Sequence, residues 1–514
     1  MNGAESLIAT LVFGGVDTCF SNPGTTELHI VAALEKYPQV RSILALFEGV
    51  VTGAADGYAR MKDKPACTLL HLGPGLANGL ANLHNANRAQ VPIVNIVGEH
   101  ATYHLRHETP LVSDIEAIAR PFSKWVRTSR NAAEIGRDVA EALMAAQTAP
   151  GQIATSIVPA DLAWSQCGVS ASPSAIPKPM LPEQETIERV AAMLRSEQRS
   201  ALLLSGAALH GRGLATAARI AGATNATLLA PYPLRRIERG AGTAIVNRIP
   251  YPREQAAEAL KDFRQLVLVG SPPPVAYFAA PEVNAVVTPE QCKIVTLAKP
   301  TEDVPGALEA LLACFAANDT KSVLEKAETP PVPDGEISLP GLAAGVAASL
   351  PENCIVVDES MTSGRGIITA ARGAHPHDWM TNTGGSIGIA LPLAVGAAVA
   401  CPQRRVLCLS ADGSSMYTLQ ALWTMAREGL NVTTVIFANR AYSVLQREFL
   451  NLGLSTPGCR ARDLLEIGRP DLDWTSMAKG MGVPSTRATS IDAFVRALRR
   501  GFLADGPTLI EVPL

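Results

Sequence analysis

The chain has 514 residues, 47% of them hydrophobic, and a formal net charge of −3. That length exceeds one ordinary core and predicts about three domains, in a composition typical of compact α/β proteins. So small a charge, without a long Lys or Arg run, excludes a polyelectrolyte that binds nucleic acid; Arg235 to Arg239 (RRIER) reads as a solvated surface.

The opening MNGAESLIATLVFGGVDTCF lacks a basic leader, and Glu5 and its glycines interrupt any apolar core, so no signal peptide is expected. Over residues 1–165 the apolar runs VDTCFSNPG, RSILALF, ACTLLHLGPG, PIVNIVGE and GQIATSIVP alternate with helical patterns. This predicts a doubly wound parallel sheet. Residues 166–185 are rich in Ser and Pro and read as a linker. A second α/β unit, 186–317, has strands near SALLLSG, ATLLAP, QLVLVGS and KIVTLA, and a polar linker, 318–338, follows it. The third unit, 339–514, has strands near CIVVDES, RVLCLSA, VTTVIFAN and TLIEVPL. The expected fold is therefore α/β, with three doubly wound parallel-sheet domains. The apolar stretch SIGIALPLAVGAAVA at 386–400 is too short to span a membrane and contains Pro392, so it reads as a buried helix. Nine cysteines occur as scattered singles, which fits reduced thiols in a cytoplasm.

Chemistry enters at LCLSADGSSMYTLQ, where a strand over 406–410 runs into Asp412. A helix is expected from about Tyr417 to Glu428, with Gly429 as its C-cap, and the next strand ends at Asn439. In a right-handed βαβ unit both strand ends lie at one sheet edge, so Asp412 and Asn439 present oxygens to a common point. A hard cation such as Mg²⁺ suits that pair, its shell completed by phosphate and water. Gly413, Ser414 and Ser415 lead into a helix N-terminus that favours a phosphate. An Asx turn and an ordinary loop asparagine account for the same residues. In the first unit, ALFEGVVTGAADGYAR puts Glu48 at a helix start, after a strand ending near Phe47 and among apolar neighbours. Burial there would raise a carboxyl pKa and suit proton exchange. A first-turn glutamate favoured by the helix dipole is the plain alternative.

These elements resemble the thiamine diphosphate (ThDP) enzymes, in particular the 2-oxo acid decarboxylase and acetolactate synthase group. The stretch from Asp412 to Asn439 resembles their diphosphate motif, which implies Mg²⁺ on Asp412, Asn439 and the Ala441 carbonyl. Gly413, Ser414 and Tyr442 become cofactor contacts by the same resemblance. The sequence departs from the motif at Ala411, where the family has Gly, and at Arg440 after the asparagine. Glu48 resembles the family glutamate on the aminopyrimidine ring, and the match continues through Gly53, Ala54, Asp56, Gly57, Tyr58 and Ala59. It would protonate the ring and so promote ylide formation, the cofactor carrying the hard chemistry. NTGGSIGIALPLAVGAA resembles the segment that bends the cofactor, with Ile387 as wedge and the Gly385 carbonyl as acceptor for its amino group. The resemblance implies a cofactor held between subunits, hence a homodimer at least, or a homotetramer.

The reaction is harder to read. SNPGTTELH resembles the first-domain loop of benzoylformate decarboxylase, with Thr25 as a hydroxyl for the substrate carboxylate, and LLHLGPGLANG places His71 where that family has a catalytic histidine. That family's second histidine is missing; GSPPPVAYFAAP offers Tyr277 and Phe278 instead. His107-Glu108-Thr109-Pro110 resembles the Gln-Glu-Thr-Pro of acetolactate synthases, with His100, His104 and His107 as loop residues or a proton shuttle. The chain ends at Leu514 without the arm that acetolactate synthases fold over the site, and LLLSGAALHGRG is too weak a Rossmann fragment to claim FAD. The expected partner is a small 2-oxo acid, and the expected reaction is decarboxylation, by a lyase or transferase whose intermediate is protonated to an aldehyde or ligated to a second carbonyl. An acetolactate synthase-like carboligase is the runner-up. A dinucleotide-dependent oxidoreductase, using GPGLANG or GAALHGRG, is the reading from another class.

Overall fold

The apolar runs fold into strands of three separate sheets, and the computed structural model describes residues 1–166, 169–173, 175–279, 284–315, 322–454 and 457–514. In the first sheet the order is Arg41–Leu44, Thr18–Asn22, Ala66–Leu70, Ile93–Glu99, Ile153–Pro159 and Trp125–Thr128, all parallel. Its central strands Ala66–Leu70 and Ile93–Glu99 are buried throughout, as expected where helices cover both faces. Trp125–Thr128 is a half-buried edge strand without an apolar run to announce it.

The second sheet orders Asn247–Arg248, Thr227–Ala230, Ser200–Leu204, Gln265–Val269 and Lys293–Ala298, again in parallel. The third runs Ser485–Arg487, Thr508–Pro513, Val432–Ala438, Val406–Ala411, Cys354–Glu359, His377–Thr381 and Ile237–Arg239. The last of these strands is antiparallel and comes from the middle of the chain.

That edge strand corrects the reading of RRIER as a solvated surface. Ile237 is buried, and Asp378 sits in register opposite Glu238. Arg236 Nε donates to Asp378 at 2.7 Å, and Arg235 pairs with Asp63 at 3.2 Å. The arginines face carboxylates of two other units, so they fasten the middle segment to its neighbours. Of the two expected linkers, 166–185 gains a helix only at Gln184, and its residues 167, 168 and 174 lie outside the described residues. Residues 318–321 of the second linker also lie outside them.

Two helices bring the first and third units together. Glu48–Lys62 packs against Ala390–Ala400, in which every residue is buried, matching the buried helix expected around Pro392. Small residues permit the approach. A Cβ on Gly57 would lie 2.1 Å from the Leu393 carbonyl oxygen, and one on Gly396 1.9 Å from that of Ala54. Beside this contact the fully buried Arg60 forms a pair with Asp56 at 2.7 Å. Its remaining donors reach the Thr381 carbonyl at 2.8 Å and the Thr383 hydroxyl at 3.0 Å. A buried charge persists only when so paired and hydrogen-bonded.

Candidate active site

Glu48 is the first residue of its helix and is buried, at 7% exposure. The preceding strand stops at Leu44, earlier than the expected end near Phe47, and Phe47 enters the helix in extended backbone at φ −161°. Glu48 Oε1 accepts from Asn22 Nδ2 at 3.1 Å, and Oε2 accepts from Asn78 Nδ2 at 3.0 Å. Two neutral amides thus orient the carboxylate without bringing an opposite charge to it. Neither asparagine stood out in the sequence; Asn22 lies at a strand end and Asn78 in a helix, and only the fold brings them to Glu48.

His71 follows the strand Ala66–Leu70 and caps the helix Leu72–Ala89, as its strand-end position predicted. The turn into that helix is sharp, with the fully buried Leu72 held at φ 52°, a region costly for a side-chain-bearing residue. His71 Nδ1 lies 2.8 Å from Glu27 Oε2. Glu27 is fully buried, and the same oxygen accepts from Gly24 N at 2.7 Å. A carboxylate oxygen only accepts, so Nδ1 carries the proton and Nε2 is left for other work. Thr26 Oγ1 is 3.3 Å from His71 Nδ1, whereas Thr25 is exposed one residue earlier. The structure therefore joins Thr26 and Glu27, not Thr25, to His71. His100, His104 and His107 lie in file, their rings tilted against one another with centroids 5.7 and 5.5 Å apart. Burial lowers the His100 pKa, and His104 and His71 add to that effect.

In the third unit the strand Val406–Ala411 passes directly into a one-turn helix, Asp412–Ser415. The single helix expected from Tyr417 to Glu428 is replaced by this turn and by Ala421–Arg427. Side-chain bonding breaks the run: Gly413 N donates to Asp412 Oδ1 at 2.8 Å, and Thr418 Oγ1 donates to the Gly388 carbonyl at 2.7 Å. Ala411 sits in extended backbone at φ −93°, so the departure from glycine costs nothing here. Gly413 is the constrained position, since a Cβ there would lie 2.7 Å from Tyr442 Cε1.

Asp412 and Asn439 end adjacent parallel strands, as expected. Arg440, at φ 58°, turns its N–H onto Asp412 Oδ2 at 2.7 Å, and Ala441 N donates to Asn439 Oδ1 at 3.1 Å. Burial raises the Asp412 carboxyl pKa, opposed by the N–H groups of Arg440 and Gly413. Ser414, at 3% exposure, is buried beside it. Among the described residues no three His, Cys, Asp or Glu side chains form a metal cage. A cation here has to be held by one carboxylate together with amide and carbonyl oxygens, which is the donor set of a hard ion sharing its shell with phosphate.

The segment over residues 382–388 is built on a residue that sequence reasoning missed. Glu359 ends the strand Cys354–Glu359, at 3% exposure. It accepts from Gly388 N at 3.2 Å, Ala390 N at 3.1 Å and Asn382 Nδ2 at 3.0 Å. Burial pushes its pKa up to about 7 despite those donors. Gly385, at φ 83°, adopts a backbone that favours glycine. His84 bonds the Gly384 carbonyl, and Asn85 and Asn382 bond that of Ser386. The Gly385 carbonyl, between them, takes none of these donors, which fits an acceptor kept for an outside amino group. Ile387 is half-buried just beyond.

Residues 1–118 match the N-terminal TPP binding domain of thiamine pyrophosphate enzymes, and residues 364–512 match the C-terminal TPP binding domain. The chain belongs to the thiamine pyrophosphate enzyme family. Within it, the chain is 50% identical over 520 residues to the Mycobacterium tuberculosis protein named "Putative acetolactate synthase large subunit IlvX", spanning 100% of this chain and 99% of that one. It is 28% identical over 537 residues to the benzoylformate decarboxylase of Pseudomonas aeruginosa, spanning 97% and 96% of the two chains. The ThDP-dependent 4-hydroxybenzoylformate decarboxylase of Rhodococcus jostii RHA1 shares the fold, with a TM-score of 0.87 at 24% identity over 100% of this chain and 99% of that one. The chain is accordingly a ThDP enzyme of the 2-oxo acid decarboxylase and carboligase group, and the oxidoreductase reading falls away. Among the described residues no helix is long and apolar enough to cross a membrane.

Proposed function

We propose that this enzyme decarboxylates a 2-oxo acid in the manner of benzoylformate decarboxylase, using ThDP and Mg²⁺. The observation that carries this choice is His71 held by the buried Glu27, a group able to deliver a proton to the carbon that CO₂ leaves. When bound, ThDP supplies a nucleophilic carbon and a sink for the electron pair released with CO₂. Glu48 holds the proton exchanged with the cofactor's ring, kept in line by Asn22 and Asn78. Asp412, Asn439 and the Ala441 carbonyl hold Mg²⁺, Gly413, Ser414 and Tyr442 border the diphosphate, and Gly385 and Ile387 seat the rings. The product leaves as an aldehyde or joins a second carbonyl. We place the protein in the cytoplasm, in keeping with the eight described cysteines being free, and assign it a homodimer or homotetramer.

A second reading, an acetolactate synthase-like carboligase joining two 2-oxo acids, is favoured by the 50% identity to the mycobacterial relative. CO₂ release from a panel of 2-oxo acids, with product analysis for aldehydes and acyloins, separates the two. Acetolactate as the main product, or a yellow flavin-bearing protein, selects the carboligase. A Glu48→Gln variant that stays fully active refutes the role given to Glu48, and no thermal shift on adding ThDP with Mg²⁺ refutes the cofactor site.

A further inference from the structure

An aromatic wall stands beside the cofactor-binding segment. Tyr232, Tyr251 and Tyr277 meet one another with ring centroids 5.1, 5.3 and 6.2 Å apart, and Phe278 extends the wall from Tyr277 at 6.0 Å. Tyr277 and Phe278 are 39% and 67% exposed, a large open apolar surface for two adjacent rings. At one end Tyr277 Cε1 lies 3.6 Å from where a side chain on Gly385 would begin. At the other, the Arg365 guanidinium lies 5.7 Å from the Tyr251 ring centre. Arg365 follows Ser363, whose hydroxyl accepts from Asn439 Nδ2 at 3.4 Å. The wall thus runs from the Gly385 end of the expected cofactor site to its Asn439 end.

Its charge is unbalanced. Arg365 Nε is buried and has no hydrogen-bond partner among the described residues. Arg248 lies over the Tyr232 ring at 3.9 Å and donates from Nε to the Tyr232 carbonyl at 2.6 Å. Neither guanidinium has a carboxylate within 4.0 Å among the described residues. Burial lowers the Arg365 pKa, Arg447 repels it further, and Tyr232, Tyr251 and Glu448 only partly compensate.

We propose that the substrate is an aromatic 2-oxo acid bearing a second anionic group at the end of the ring far from the reacting carbonyl, with that group bound by Arg365. The inference deepens the decarboxylase reading and rests on it. The tyrosine wall receives a flat ring by stacking and edge contacts, and the planar guanidinium matches a carboxylate. A small aliphatic 2-oxo acid would reach neither the rings nor the part of the Arg365 guanidinium that is not buried. Arg365 is then a specificity residue and takes no part in bond making. The diphosphate of the cofactor is the competing anion for Arg365, and the test separates the two.

The protein loaded with ThDP and Mg²⁺ is given 4-carboxyphenylglyoxylate, phenylglyoxylate and pyruvate, and CO₂ release is followed. The expected kcat/KM is at least about tenfold higher for the para-carboxy acid than for either other acid, the range of one charge-assisted hydrogen bond. Arg365→Ala should remove that preference by raising KM for the para-carboxy acid, while the Kd for ThDP stays unchanged. Arg365→Lys should restore part of it. Phenylglyoxylate or pyruvate used equally well overturns the inference, as does an Arg365→Ala variant whose defect lies in ThDP binding. Release of CO₂ from none of the three with ThDP bound also overturns it and leaves the cofactor site standing. Failure to bind ThDP at all sinks the decarboxylase reading together with this one.

Discussion

Replacing Glu359 by glutamine should change how stability depends on pH, because this buried carboxyl titrates near 7 in the folded chain against 4.5 when unfolded. Below pH 4.5 both states hold the proton and the group contributes nothing. As pH rises the unfolded chain ionises first, so the folded state loses ground until its own carboxyl ionises near 7. The cost grows by about 2.5 kcal/mol between pH 5 and pH 8, at about 1.36 kcal/mol per pKa unit. Glutamine cannot ionise. It brings a separate, pH-independent penalty, because its amide N–H₂ cannot accept the bonds from Gly388 and Ala390. Calorimetry of both proteins without cofactor, from pH 5 to pH 8, should therefore show wild type losing about 2 °C relative to Glu359→Gln as pH rises if the whole chain unfolds together, and about 7 °C if its third unit unfolds alone. A gap in Tm that stays constant across that range would refute the reasoning.

The helix contact between the first and third units gives a second prediction. Gly396→Ala puts a methyl 1.9 Å from the Ala54 carbonyl oxygen and should cost about 2 kcal/mol or more, read as a fall in Tm together with weaker ThDP binding. Gly480→Ala, with nothing within 4 Å, should leave both unchanged. Arg60→Ala strands the buried Asp56 carboxylate and should destabilise by about 3–5 kcal/mol, seen as loss of soluble protein or a large drop in Tm. Glu27→Gln leaves His71 without its orienting carboxylate; kcat for aldehyde release should fall about a hundredfold with ThDP affinity intact, and an unchanged kcat removes His71 from proton delivery.

Local chemistry made much of this enzyme readable from its chain. Apolar runs ending in turn residues marked most of the inner strands of the three sheets, because a strand covered on both faces is largely apolar. The same rule missed the edge strands Trp125–Thr128, Ile237–Arg239, Asn247–Arg248 and Ser485–Arg487, defined by their partners more than by their own residues, and also the buried inner strand His377–Thr381, whose run is broken by polar side chains. Asp412 and Asn439 were legible because successive parallel strands of a βαβ unit end at one sheet edge, and Glu48 because its carboxyl opens a helix among apolar neighbours.

Tertiary structure decided what holds those groups. Asn22 and Asn78 reach Glu48 from a strand and a helix of their own, Glu27 reaches His71 across more than forty residues, and Glu359 builds the Gly385 segment from a neighbouring strand. The aromatic wall and Arg365 likewise come from two units that no spacing connects. The residues proposed to carry chemistry follow local rules of strand ends and helix starts, so one sequence is enough to propose them. The residues that orient them act through space, and their role exists only once the sheets are assembled.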